Sequence, residues 1–465
     1  MNLAGNPPAA RITPSIVRRA AVTGGAVALV LVGERIPLPY VEADVLRPVL
    51  VGASARSSVS LLSLGLAPFI SAFVLVELVA LVVPWLRAVR LGSSSDRRPL
   101  TRAAWALAVV FAAVQGWGIA SFLARLRGVR GEPVLEEGLG PAIGVVIALA
   151  LATLALGCAA HLVTRFGLGN GYAVLIAIPA IENLLGFGRA LLRSRSEYWT
   201  DAGRLAVLSA IVLFLVRLAR PRTGGDGGPR VPVPTCGLAP ITGSEFAVAF
   251  AVALSGWIHG ADRFGTPFAD REIYAYVRIA VTAALAVAFA RAFCGTAAVV
   301  AAYRRAAPEP AGVIPEGVVR RALLGSDLRS IALVVGLGAL PVIVALAGIP
   351  VAVRVDVVLN AAVVVAVALD LREEVGWRAD RVPWVSAYPS HRVYAVEPAV
   401  LALRAAGIPA ATRARRFRAL SHFFAPYAPI ELFVPSDRAA EARAICERVV
   451  AGARGPSSPA RSEST

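Results

Sequence analysis

Side chains able to bind metals or to act as nucleophiles are few and scattered. Four cysteines (Cys158, Cys236, Cys294, Cys446) and four histidines (His161, His259, His391, His422) stand far apart in a chain of 465 residues. No CxxC, HExxH, Walker loop or GxSxG spacing is present. The sequence therefore argues for no catalytic residue, metal site or cofactor, and the cysteines read as packing residues. The polar groups that stand out lie within apolar stretches: Glu77, Gln115 and Glu245. An ionisable group inside such a stretch is costly and faces protein or water, not lipid. Two segments break the apolar pattern through the backbone. In Leu64-Gly65-Leu66-Ala67-Pro68-Phe69-Ile70-Ser71, Pro68 removes a donor and strains the preceding turn, which implies a covered cavity beside it. In Gly167-Leu168-Gly169-Asn170-Gly171 the glycines allow a tight turn and a close backbone approach.

The elements that carry these residues are apolar helices. The chain is 57% hydrophobic with a mean hydropathy of +0.68, against about 45–50% apolar residues in soluble domains. About ten stretches can cross a hydrocarbon core of about 30 Å: near 19–33, 61–83, 103–124, 139–163, 170–188, 204–219, 240–258, 273–302, 329–348 and 351–370. The run 145–151 does not alternate, which excludes barrel strands. Arg11, Arg18 and Arg19 precede the first stretch as in a signal peptide, but Ile36-Pro37-Leu38-Pro39 lacks a small-residue cleavage pattern, so the first helix is retained. All 47 basic residues are arginine, giving a net charge of +17. They are scattered among loops, which favours anionic headgroups over a specific nucleic acid. With both termini cytosolic, roughly 18 arginines fall on the cytosolic side and roughly 14 opposite, a modest positive-inside bias.

The expected fold class is an all-α polytopic membrane protein, with ten transmembrane helices in two inverted five-helix halves, plus a small α+β C-terminal domain. The boundaries are an N-terminal segment at 1–18, halves at 19–188 and 189–375, the small domain at 385–452 and a disordered tail at 453–465. Within the small domain, His391-Arg392-Val393-Tyr394-Ala395-Val396 suits a strand and Pro398 to Ala406 a helix stopped at Gly407. Ile430 to Val434 suits another strand, and Ser436 caps a helix to about Val450 with Ala439, Ala442, Ile445 and Val449 on one face.

In order along the chain, these segments resemble the SecY family of protein-conducting channels. The stretch at 64–71 is similar to the family's "LGIMPYISA" and that at 167–171 to its "GIGNG". Ile36 to Leu46 is similar to "IPIPGIDAAVL", and Val365 to Asp370 to "VVVIMD". The resemblance runs through 15–375, while 397–435 resembles a small βαββα signal-transducing family. It implies a pore ring of Leu66, Ile70, Ile176, Ala180, Thr242 and Val363, which blocks ions by dewetting. Ala180 and Thr242 depart from the family's bulky aliphatics. It further implies a plug at 48–60, helix-break motifs at Pro68, Gly167, Gly169, Asn170 and Gly171, and a lateral gate lined by Glu77, Gln115 and Glu245.

The function so implied is a preprotein translocase channel subunit of the bacterial cytoplasmic membrane, with no chemistry of its own. It would conduct unfolded polypeptides beside SecE-like and SecG-like subunits, driven by a SecA motor or the ribosome. Two departures bear on the motor: the loop at 220–230 is short, and Ile314 stands where the family has an arginine, whose bidentate clamp isoleucine cannot imitate. The alternatives are a regulatory paralog without motor-driven export and a secondary transporter with inverted repeats.

Overall fold

The computed structural model describes residues 14–49, 59–91, 97–193, 237, 239–248, 271–306, 315–346, 355–379, 382–421 and 428–451. The expected plug, the candidate span at 204–219, the loop at 220–230, Ile314 and the tail lie outside or almost wholly outside them. The helices are α1 (Pro14–Gly33), α2 (Ala43–Val49), α3 (Ala67–Val82), α4 (Pro84–Leu91), α5 (Arg98–Arg125), α6 (Leu139–Phe166) and α7 (Gly171–Arg193). After α8 (239–248) come α9 (Arg271–Phe293), α10 (Thr296–Ala306), α11 (Glu316–Leu346) and α12 (Val355–Arg378). The small domain follows as β1 (Trp384–Ser390), α13 (Val393–Ala405), β2 (Ala411–Arg413), α14 (Arg415–Leu420), β3 (Ile430–Pro435), a 3-10 turn and α15 (Ala439–Ala451).

Five segments among the described residues are long and apolar enough to cross a membrane: Ser15–Gly33, Arg98–Arg125, Leu139–Phe166, Tyr276–Ala306 and Glu316–Ala339. Ala67–Val82 and Gly171–Gly186 are apolar but shorter. Helices in lipid gain nothing from hiding apolar surface, so they associate where small side chains let backbones meet. On α5, Ala104, Ala108, Ala112, Gly116 and Ala120 recur every fourth residue and are all buried. A side chain at Gly116 would reach within 3.5 Å of the Val146 Cα, so α5 lies directly on α6. Phe69 fills the space left by Gly157 and meets Trp105 edge-on with ring centroids 4.9 Å apart.

The start of α3 corrects one expectation. Pro68 occupies the first turn of the helix, where no intrahelical donor is needed, and does not interrupt it. The preceding turn at 61–66 satisfies its own backbone: Leu61 N–H donates to Ile36 O at 2.9 Å, Gly65 N–H to Leu62 O at 2.8 Å and Ala67 N–H to Leu64 O at 3.1 Å. No freed carbonyl requires a cavity beside Pro68.

In the small domain the strand order is β1-β3-β2, all antiparallel, with Val385 opposite Val434 and Ala411 opposite Phe433. Alternation along the central β3 sends Ile430, Leu432 and Val434 into the core under α13 and α15. Phe433 points the other way, stacking 4.8 Å from Trp377 at the end of α12. The sheet is thus covered on both faces. The expected strand at 391–396 is instead the entry and first turn of α13, and the strand precedes it as β1. Residues 393–400 are buried all round, so they show no period by which to tell strand from helix. The expected stop is observed: Gly407 adopts φ +68° and its N–H reaches Arg404 O at 3.0 Å, while Ile408 N–H reaches Leu403 O at 2.9 Å.

Two outcomes test this packing. A Cβ at Gly171 would lie 1.8 Å from the Ala160 carbonyl, whereas one at Gly186 would meet open space. Gly171→Ala will destabilise the purified protein by about 1–3 kcal/mol or more in detergent melts, while Gly186→Ala is neutral or stabilising. Burial, reinforced by Glu447, pushes the Cys446 thiol up to about 12. Native Cys446 will therefore resist alkylation at pH 8 and react on denaturation. Because the unfolded thiol loses its proton first, near pH ~8.5, this group's contribution to stability is full below that pH and declines above it.

Candidate functional site

Four of the six residues expected to ring a pore belong to one continuous apolar cluster. Leu66 is buried in it, and Ile70, Ile176 and Val363 pack against it from α3, α7 and α12. Its aromatic centre is Phe69, Phe73 and Tyr172, with Phe73 and Tyr172 edge-on at 5.7 Å. Ala180 is buried one turn beyond Ile176 but outside the cluster, and Thr242 is half-buried beside Ile241, which is inside it.

A seam separates α3 and α5 from α8 and α9, and it is apolar. Phe111 on α5 meets Phe246 on α8 edge-on at 5.8 Å. A side chain at Gly243 would sit 3.4 Å from the Leu78 Cδ2 on α3 and 3.3 Å from the Leu285 Cδ1 on α9. The residues proposed from sequence to line a gate are placed differently. Gln115 Nε2 donates to Ser71 Oγ at 3.0 Å, joining α5 to α3 within one wall. Glu245 is exposed, 3.5 Å from Arg278 Nη1 within the other wall. Glu77 is fully buried and accepts from Arg90 Nε at 2.6 Å, while its neighbour Leu78 reaches the seam. A carboxylate without bulk water takes the nearest guanidinium, and Arg90 on α4 is that group. Sequence reasoning missed Leu78, Phe111, Gly243, Phe246 and Leu285, which carry no signal beyond being apolar or small.

The helix-break motif at 167–171 is buried, and most of its backbone groups are hydrogen-bonded. Gly167 N–H donates to Val163 O at 2.7 Å, Leu168 N–H to Thr23 Oγ1 at 2.8 Å and Gly169 N–H to Glu374 Oε2 at 2.8 Å. Gly171 N–H donates to Thr164 Oγ1 at 2.8 Å, and Asn170 Oδ1 caps α7 by accepting from Ala173 N–H at 3.3 Å. Gly169 takes φ +76°, which favours glycine. The carbonyls are covered by arginine: Gly167 O accepts from Arg19 Nη1 at 3.1 Å and from Arg413 Nη2 at 3.3 Å, and Gly169 O also accepts from Arg413. Arg413, on β2, is a site residue that sequence reasoning missed.

Residues 60–222 match the sequence profile of the SecY family. Protein translocase subunit SecY of Escherichia coli K12 is 28% identical over 180 residues, covering 36% of this chain and 40% of the relative. The same subunit from Buchnera aphidicola of Acyrthosiphon pisum is 27% identical over 166 residues, covering 33% and 38%. The Streptomyces coelicolor subunit is 23% identical over 229 residues, covering 44% and 52%. In sequence, the chain thus spans about 40% of the length of the first two of these relatives. The fold agrees over a longer extent. A SecY structure described for its plug domain and the closed state of the channel superposes with a TM-score of 0.52 at 15% identity, covering 80% of this chain and 94% of that one. A structure described as that of a protein conducting channel gives 0.51 at 14% identity, covering 81% and 94%. Over residues 60–222 the sequence is similar to the SecY family, and over most of the chain the fold is similar to that of a SecY channel.

Proposed function

We propose that the protein is a channel subunit that passes unfolded polypeptides across a membrane and releases apolar helices sideways through the seam. The single observation carrying this reading is the shared apolar cluster of Leu66, Ile70, Ile176 and Val363 at the heart of a SecY-like bundle, beside a seam where Phe111 meets Phe246 and Leu78 approaches Gly243. A narrow apolar waist sheds water and so resists ions, while flexible aliphatic side chains yield to a passing chain.

In this reading the membrane is the bacterial cytoplasmic one, and the bundle end that carries the 167–171 turn and the small domain faces the cytosol, with both termini. SecE-like and SecG-like subunits clamp the bundle, and a SecA motor or the ribosome supplies energy, since the chain itself is not an enzyme. The gate is the Leu78–Gly243–Phe246 seam, with Glu245 at its edge and Glu77 and Gln115 bracing the wall behind it.

Photocrosslinkers placed at Ile70 and Ile176 will capture a stalled secretory chain several-fold better than the same probes at Val110 and Ile147, which are 56% and 53% exposed on the outer surface of the bundle. Equal or absent capture at the two inner positions removes the channel reading. Complementation of a strain depleted of its own channel then tests sufficiency.

A further inference from the structure

The small domain touches both halves of the bundle, through two interfaces. Toward the second half the interface is apolar and broad: Val299, Val300 and Tyr303 of α10 and Val319 and Leu323 of α11 share one core cluster with Val393, Val400 and Val449 of the domain. Arg305 Nε adds a bond to Val449 O at 3.2 Å. Toward the first half the contact is a short segment, 411–421, in which Arg413 donates to the carbonyls of Gly167 and Gly169. The same segment is tied by charge to α12 of the second half: Arg413 lies 3.3 Å from Glu374, Arg416 reaches Glu373 at 2.6 Å and Asp370 at 3.3 Å, and Asp370 also accepts from the Phe417 N–H at 3.0 Å. Phe417 and Leu420 enter the same apolar cluster as the ring residues, against which Leu86 and Val89 of α4 also pack. Arg418 is fully buried within the field of Glu77, Arg90 and Arg97 of the first half, and burial, then Arg90, pushes its guanidinium down to about 9.

We propose that the C-terminal domain is a built-in brace: anchored to the second half by apolar burial, it latches onto the first half through 411–421 and holds the seam shut until that latch lets go. The contact to the first half is the smaller of the two, and water replaces the Arg413 bonds to the Gly167 and Gly169 carbonyls on opening. As the halves part, the domain stays with α10 and α11, and Arg413 gives up the Gly167 and Gly169 carbonyls. The inference builds on the channel reading but concerns the seam, which is measured separately.

The experiment uses the full chain in lipid nanodiscs, with Cys158 and Cys236 replaced by serine and nitroxide labels at Val114→Cys on α5 and Tyr276→Cys on α9, both outward-facing positions flanking the seam. With the latch intact, the electron–electron distance distribution will hold one short population. Arg413→Gln and Arg413→Lys will each add a population longer by several ångströms, while Arg416→Gln, whose partners lie on α12 of the second half, and Arg438→Gln, at an exposed pair with Glu441 remote from the latch, will not. Arg413→Lys keeps the charge beside Glu374 and Glu431 but lacks the planar fork that spans both carbonyls, so it folds even if Arg413→Gln does not. An unchanged distribution in folded Arg413→Lys overturns the brace, and so does equal lengthening in Arg416→Gln or Arg438→Gln. Seam lengthening in a protein that captures no stalled chain at Ile70 and Ile176 keeps the brace and discards the channel.

Discussion

The rest of the structure depends on one close approach, that of Gly171 to the carbonyl of Ala160. Only a hydrogen fits there, since a Cβ would sit at 1.8 Å. That contact lets α7 reverse tightly against α6, and the reversal presents backbone N–H and C=O groups of the 167–171 turn to side chains from elsewhere. Thr23 on α1, Thr164 on α6, Glu374 on α12 and Arg413 on β2 converge on it. Elements far apart in sequence are thereby fixed to one another at a point where no apolar packing could specify register. Each buried amide without a partner would cost about 1–3 kcal/mol, so the turn constrains its neighbours as strongly as they constrain it.

Length and polarity made the membrane helices legible, because a span needs about 20 apolar residues whatever its neighbours do. The small domain was harder. Gly407 stopped its helix as expected, since a left-handed residue there is a backbone requirement local to the sequence. The stretch 391–396 was misread because the residues from Val393 onward are buried on every side, so the apolar pattern had no period. Strand β2, Ala411–Arg413, has too few residues to leave any pattern at all. Pro68 was read as a break within a helix, whereas the turn at 61–66 moves the helix start to Ala67 and leaves proline where its missing donor is harmless.

The candidate site divides along the same line. The expected ring positions Ile70 and Ile176 were assigned through motifs fixed to helix starts, and both pack against the one apolar cluster. The expected gate positions were chosen for polarity, and the structure pairs each with a polar neighbour: Glu77 with Arg90, Gln115 with Ser71 and Glu245 with Arg278. One residue along a helix turns the side chain by about 100°, enough to put Glu77 on Arg90 and Leu78 on the opposing wall. Polar side chains near the seam serve within each wall instead. Thr282 donates to Ser244 at 2.7 Å, tying α9 to α8, as Gln115 ties α5 to α3. Polar bonds inside the walls and apolar contact between them keep each wall rigid while leaving the boundary between them the weaker surface.

Arginine suits the junction of domain and bundle in a way lysine would not. One guanidinium, that of Arg413, reaches two carbonyls and two carboxylates, because its donors lie in a planar fork. On α12, Asp370, Glu373 and Glu374 fall at spacings that place them on one face near the helix end, toward 411–421. Buried ion pairs of this kind add little net stability over an apolar contact, yet losing one partner costs about 3–5 kcal/mol. Such an interface rewards one geometry and penalises every near miss. It therefore fixes the domain's position on the bundle more sharply than it strengthens the attachment, and the strength comes from the apolar face on α10 and α11.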